Sequence, residues 1–190
     1  MMTIGHSTLP IETFIGILRD NGVRVLADIR TVPKSRHNPQ FAQEKLAPAL
    51  AEAGIEYRWI RELGGLRRAR KDSVNTGWRN ASFRGYADYM QTAEFEAGLN
   101  QLLTLSPNEN TAVMCAEAVP WRCHRSLLAD ALTMRGVAVE DITYSAQGKS
   151  RREPHKLTSF ARVEGRRLWY PAEDDLFAGA GGDAAHEEPG

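Results

Sequence analysis

Apolar positions along the chain change spacing in a regular way, and the changes order the elements. Short segments at 3–6, 23–29, 55–60, 111–115 and 137–144, mostly apolar at 23–29 and 111–115, predict strands. Between the first two, Ile11, Phe14, Ile15 and Leu18 recur at helical spacing, and Asn21-Gly22 supplies the stop. Ser7-Thr8 is the expected N-cap of that helix, with Pro10 in its first turn. A second helix is predicted over about 41–53, ending at Gly54, with Pro48 as a site for a kink. Helical spacing returns over about 85–105 and breaks near Thr92, which predicts two helices. A last helix is predicted over 125–135, ending at Gly136. Residues 64–83 show no strong period, and a loop of that length in a small domain is more often functional than incidental.

Strands that alternate with helices predict an α/β fold. The expectation is a single three-layer domain, Rossmann-like, with a mainly parallel sheet of about five strands over residues 1–146. Residues 147–171 read as a basic C-terminal extension with a short ordered piece around Leu168-Trp169-Tyr170-Pro171. Residues 172–190 are acidic and rich in Gly and Ala, and are expected to be disordered.

Charge and cysteine usage refine this outline. The formal net charge is zero, but residues 172–190 hold six carboxylates and no Lys or Arg. The rest of the chain therefore carries about +6. With 190 residues and 42% hydrophobic composition, the chain suits one domain with a sizeable core. No apolar run approaches the roughly 20 residues needed to span a bilayer, and the N-terminal residues lack the features of a secretory signal. Two cysteines are too few for a disulfide framework, so a cytoplasmic protein with reduced thiols and no membrane association is expected.

Both cysteines bracket one short segment, Cys115-Ala-Glu117-Ala-Val-Pro-Trp-Arg122-Cys123-His124-Arg125, between a predicted strand and a predicted helix. Helix N-termini favour anions and lower thiol pKa values. Cys115 is the candidate nucleophile, with Cys123, Glu117 and His124 as the other candidate catalytic groups. Arg122 or Arg125 would hold an anionic substrate. The competing reading has Cys115 as a small buried hydrophobe and Cys123 as an inert residue at the helix start. Zinc binding by Cys115, Cys123 and His124, with or without His6, is a further alternative, although the spacing fits no standard finger and no metal site is assigned.

His6, Asp28, Glu62 and Cys115 all lie at or just past the carboxyl ends of predicted strands, where open α/β sheets hold their ligands. Asp28 and Arg30 share one side of a strand end, as an ion pair or as a carboxylate orienting an anion-binding guanidinium. Substrate contacts are expected from His6, Asp28, Arg30, Arg36, Trp78, Arg79 and Arg125. Residues 58–84 carry Arg58, Arg61, Arg67, Arg68, Arg70, Lys71, Arg79 and Arg84 among aromatic residues, a composition that suits nucleic-acid contact or a solvated loop equally.

Several of these pieces together resemble the family catalogued as domain of unknown function 488, a set of prokaryotic proteins. The matching pieces are Thr3-Ile-Gly-His-Ser7, Asp28-Ile-Arg30 through Phe41, Glu62-Leu-Gly-Gly65, Asn75-Thr-Gly-Trp-Arg79, Phe83-Arg-Gly-Tyr86 through Met90, and Cys115-Ala-Glu117 with Cys123-His-Arg125. The resemblance implies a compact α/β domain and no particular activity. Where many members carry a His in the final strand, this chain has Glu140-Asp141-Ile142. The cysteine loop and its neighbours predict an enzyme that applies Cys115 to an anionic substrate such as a nucleotide or a nucleic-acid component. A non-catalytic nucleic-acid-binding module and a zinc or redox-sensing site are the alternatives. The sequence specifies neither a cofactor nor an oligomeric state.

Overall fold

In the computed structural model, which describes residues 1–105 and 110–172, one sheet organises the chain. Its strands are β1 (Met2–Gly5), β2 (Val25–Asp28), β3 (Glu56–Trp59), β4 (Thr111–Cys115), β5 (Glu140–Tyr144) and β6 (Ser150–Pro154). The order across the sheet is β3-β2-β4-β1-β5-β6. The first five strands run parallel, and β6 returns antiparallel to β5. The sheet thus has six strands among the described residues, one more than the expected five. The extra strand, Ser150-Arg-Arg-Glu-Pro154, is a polar edge strand, so it shows no apolar run to reveal it.

The helices are α1 (Ile11–Asp20), α2 (Gln43–Glu52), α3 (Ala81–Tyr89), α4 (Ala93–Thr104) and α5 (Arg125–Met134). Phe14, Ile17 and Leu18 of α1 and Leu46 and Leu50 of α2 pack with Ile4, Leu26 and Met114 on one face of the sheet. Phe83, Tyr86, Phe95, Leu99 and Leu127 from α3, α4 and α5 pack with Ala27 and Val113 on the other. Three layers result. The break near Thr92 is an N-cap: its hydroxyl accepts from Phe95 N at 3.3 Å. The start of α1 departs from expectation, because Pro10 occupies the N-cap position and no side chain caps it. Ser7 instead takes a left-handed backbone, φ 48°, at the strand end.

The remaining chain adds a two-stranded hairpin, β7 (Arg162–Glu164) and β8 (Arg167–Trp169). Tyr170, fully buried, follows it and donates its hydroxyl to Asp130 Oδ2 of α5 at 2.9 Å. His155, just after β6, bonds Asp130 Oδ1 at 2.8 Å through Nε2 and Asp141 Oδ2 at 3.1 Å through Nδ1. A neutral imidazole has a single N–H, so two carboxylate partners require the imidazolium. Burial would lower this histidine's pKa, but the hydrogen bonds it donates to both carboxylates outweigh that and raise it to about 9. The acidic residues 173–190, expected to be disordered, lie outside the described residues. No helix among the described residues is long and apolar enough to cross a membrane.

Connections leave β1 and β4 in opposite directions. From β1 the chain passes through α1 on one face, and from β4 it passes through α5 on the other. These strands are neighbours, paired Gly5 to Cys115. A crevice therefore opens between their carboxyl ends.

Candidate functional site

A cleft of about 580 Å³ occupies that crevice. His6, Ser7 and Thr8 line it just past β1, Arg30, Thr31, Val32, Lys34, Ser35 and Asn38 from the segment after β2, and Gly65 and Leu66 from the segment after β3. Cys115 to Ala118, Arg122, Cys123 and His124 complete it from the loop between β4 and α5. The loop rides directly over the end of β1. His6 N donates to Cys115 O and Ser7 N to Ala116 O, and any Cβ on Gly5 would fall inside the Glu117 carbonyl.

Cys115 sits on the cleft floor, 8% exposed, and Cys123 is 5% exposed; both are free thiols. A hydrogen bond from the Cys123 thiol lowers the Cys115 pKa to about 7 against the effect of burial. The Arg125 guanidinium and the N–H groups of Ala116 and Glu117 add to that. Cys123 moves the opposite way, raised by the same bond and by burial. The first proton lost therefore belongs to the pair, and the negative charge settles on Cys115. His124 Nδ1 lies 3.9 Å from Cys115 Sγ and 3.7 Å from Cys123 Sγ. Its Nε2 is buried without a hydrogen-bond partner among the described residues, with the ring edge-on to Tyr86.

Asp28 is completely buried and organises the neighbouring wall. It accepts from Arg30 N, from Arg30 Nε and Nη2, and from the Tyr57 hydroxyl at 2.7 Å. Burial would lower the Arg30 pKa, but the bond to Asp28 raises it, so this guanidinium at the cleft stays charged. His6 stacks on Phe41, with ring centroids 4.0 Å apart, and its Nδ1 meets Ser7 O at 2.8 Å. Desolvation by burial lowers its pKa to about 4. At neutral pH it is therefore an uncharged wall residue, with Nε2 facing Arg30 Nη1 at 3.4 Å.

The structure brings Cys115, Cys123, Glu117, His124, His6 and Arg30 to the cleft, with Asp28 directly behind Arg30. Arg125 is close but turned inward: it is fully buried and donates to the carbonyls of Glu117 and Ala118, holding the loop in place. Arg36 and Arg79 are exposed and are not among the lining residues. Trp78 lies elsewhere, packed against Phe83, Phe160 and Tyr170 beside a second cavity.

Half of the arginine-rich segment is engaged within the fold. Arg58 pairs with Glu56 and Arg70 with Asp72. Arg67 stacks over Tyr89, and Arg84 donates to Trp78 O. The loop between β3 and α3 is itself moored to buried Asp88, which accepts from Arg70 N, Ser73 Oγ and Asn75 Nδ2.

Lys34, Ser35, Asn38 and Ser82 also line the cleft, although their residue types did not mark them as site residues. The signal available was position: the first three follow β2 within eight residues of Arg30. Sγ of Cys115, Sγ of Cys123 and a ring nitrogen of His124 all lie within 4.8 Å of one another, and are the donors able to hold a metal ion. No curated protein matches this chain. No solved structure matches it either. A family model described as domain of unknown function DUF488 matches residues 10–132, from α1 through the cysteine loop and most of α5, and the chain belongs to that family.

Proposed function

We propose that the cleft binds a small anionic substrate and that Cys115 attacks it as a thiolate. One observation carries the reading: the sulfur faces a cleft lined by Arg30, Lys34 and Arg122 and by a single carboxylate, Glu117. Cations gathered in a concave, partly desolvated site stabilise negative charge far more than they would in water. A volume of about 580 Å³ suits a molecule up to the size of a nucleotide. A Rossmann-like arrangement of the sheet accords with this, since such folds hold their ligand where the strand order reverses.

The thiolate needs no separate base. Its charge is favoured by the Cys123 thiol and by two loop N–H groups. In a nucleophilic substitution a sulfur lone pair forms the new bond, and the leaving group departs with the electrons of the bond that breaks. Glu117 or His124 delivers the proton the leaving group needs. Arg30, fixed by Asp28 and Tyr57, keeps its position while charge moves.

The test uses metal-free protein and compares two alkylating agents of similar size, iodoacetate and iodoacetamide. An anion-guiding cleft raises the iodoacetate-to-iodoacetamide rate ratio at Cys115 at least about tenfold over that of free cysteine. Inorganic phosphate should abolish the difference. A ratio equal to that of free cysteine, with the adduct mapped to Cys115, overturns the proposal.

A further inference from the structure

We infer that Cys115, Cys123 and His124 form a three-ligand site for a soft divalent cation, zinc by its chemistry, whose fourth position opens into the cleft. Tetrahedral zinc places sulfur about 2.3 Å and imidazole nitrogen about 2.0–2.1 Å from the metal, so the edges of its coordination shell measure roughly 3.6 Å between S and N. His124 Nδ1 stands 3.7 Å from one sulfur and 3.9 Å from the other, and the three donor atoms lie within 4.8 Å of one another. The two S–N edges already stand within a few tenths of an ångström of that value, and bringing the sulfurs from at most 4.8 Å to roughly 3.8 Å apart completes the coordination triangle.

The surroundings hold these donors ready. Cys115 ends β4, in register with Gly5 of β1. Cys123 and His124 occupy the turn that leads into α5. Gly65 packs directly against the His124 ring, where any Cβ would collide with it. Among the described residues the hydrogen-bonding contacts of Nδ1 are the two sulfurs. Two thiolates and an imidazole select zinc over magnesium or calcium, which prefer oxygen. All three ligands line the cleft, so the remaining coordination position faces the cleft interior.

A metal bound here occupies the lone pair that Cys115 would use in attack. Metal loading therefore switches the thiol chemistry off, or replaces it with chemistry at the open position. This consequence rests on the nucleophile reading above; the metal site itself does not.

The decisive measurement is a cobalt(II) titration of untagged full-length protein stripped by a chelator. A 1:1 complex with an intense thiolate-to-cobalt charge-transfer band and tetrahedral visible bands, bleached by one equivalent of zinc, is expected. Cys123→Ala and His124→Ala should each weaken zinc at least tenfold in competition with a chromogenic chelator. Absence of the charge-transfer band in the wild type overturns the inference, whatever the variants do. So does a band that persists unchanged in Cys123→Ala. Running the iodoacetate comparison on stripped and zinc-loaded protein separates the two proposals. A cobalt complex with an unselective thiol leaves the metal site standing and removes the nucleophile, and a selective thiol without a complex does the reverse.

Discussion

The clasp built on His155 gives the most quantitative expectation. Both ring nitrogens meet carboxylates, Asp130 at 2.8 Å and Asp141 at 3.1 Å, and the side chain is only 6% exposed. In the unfolded chain this imidazole returns to its ordinary pKa of 6.5, whereas in the fold it is held at about 9. The folded state therefore binds the proton more tightly. The extra stability is complete below pH 6.5, declines as pH rises, and is gone above the folded value. At roughly 1.4 kcal/mol per pH unit, the whole effect amounts to about 3 kcal/mol. Urea unfolding at pH 6, 8 and 10, for wild type and His155→Gln, isolates it from other titrations. The cost of the substitution should be about 3 kcal/mol greater at pH 6 than at pH 10. A cost that stays constant to within about 0.5 kcal/mol over that range would mean a neutral ring, and the two-carboxylate argument would fail.

Other expectations follow from the same groups. Burial holds His6 near a pKa of about 4, so between pH 6.5 and 4 the unfolded chain takes up a proton that the fold refuses. Stability should fall with acid across that window, and His6→Gln should flatten the fall in pH-dependent urea melts. In metal-free Cys123→Ala the alkylation midpoint of Cys115 should move upward from about 7, because the principal donor to its thiolate is gone. An unchanged midpoint would remove Cys123 from that role. Asp28→Asn leaves the buried Arg30 charge without its counter-ion and should cost about 3 kcal/mol in unfolding free energy. It should also lower the iodoacetate preference at Cys115.

Much of this arrangement was legible in the chain, for reasons that also explain the gaps. Strands β1, β2 and β4 are buried throughout, and continuous apolar runs announce such strands. Their ends then located Cys115, His6 and Arg30 without coordinates. Strands β3 and β6 are largely exposed; the apolar residues flanking β3 gave it away, while β6 had no such help. Arg36, Trp78 and Arg79 were selected by residue type, and type does not report direction. A guanidinium serves a cleft, a carbonyl or the solvent with equal sequence signal. The same limit applies to Arg125, which holds the loop, and to Asp88, whose three bonds anchor a segment that showed no period. The His155 clasp joins three elements, and that proximity has no trace in local pattern.

The meeting of Gly5 with the Glu117 carbonyl has a bearing on how this site can vary. A hydrogen where other residues carry a methyl lets one peptide lie across another, and the sulfur's amide donors are set by that crossing. Natural substitution at position 5 would thus be constrained by chemistry in which glycine takes no part. A residue with no reactive group of its own governs how deep the thiol lies.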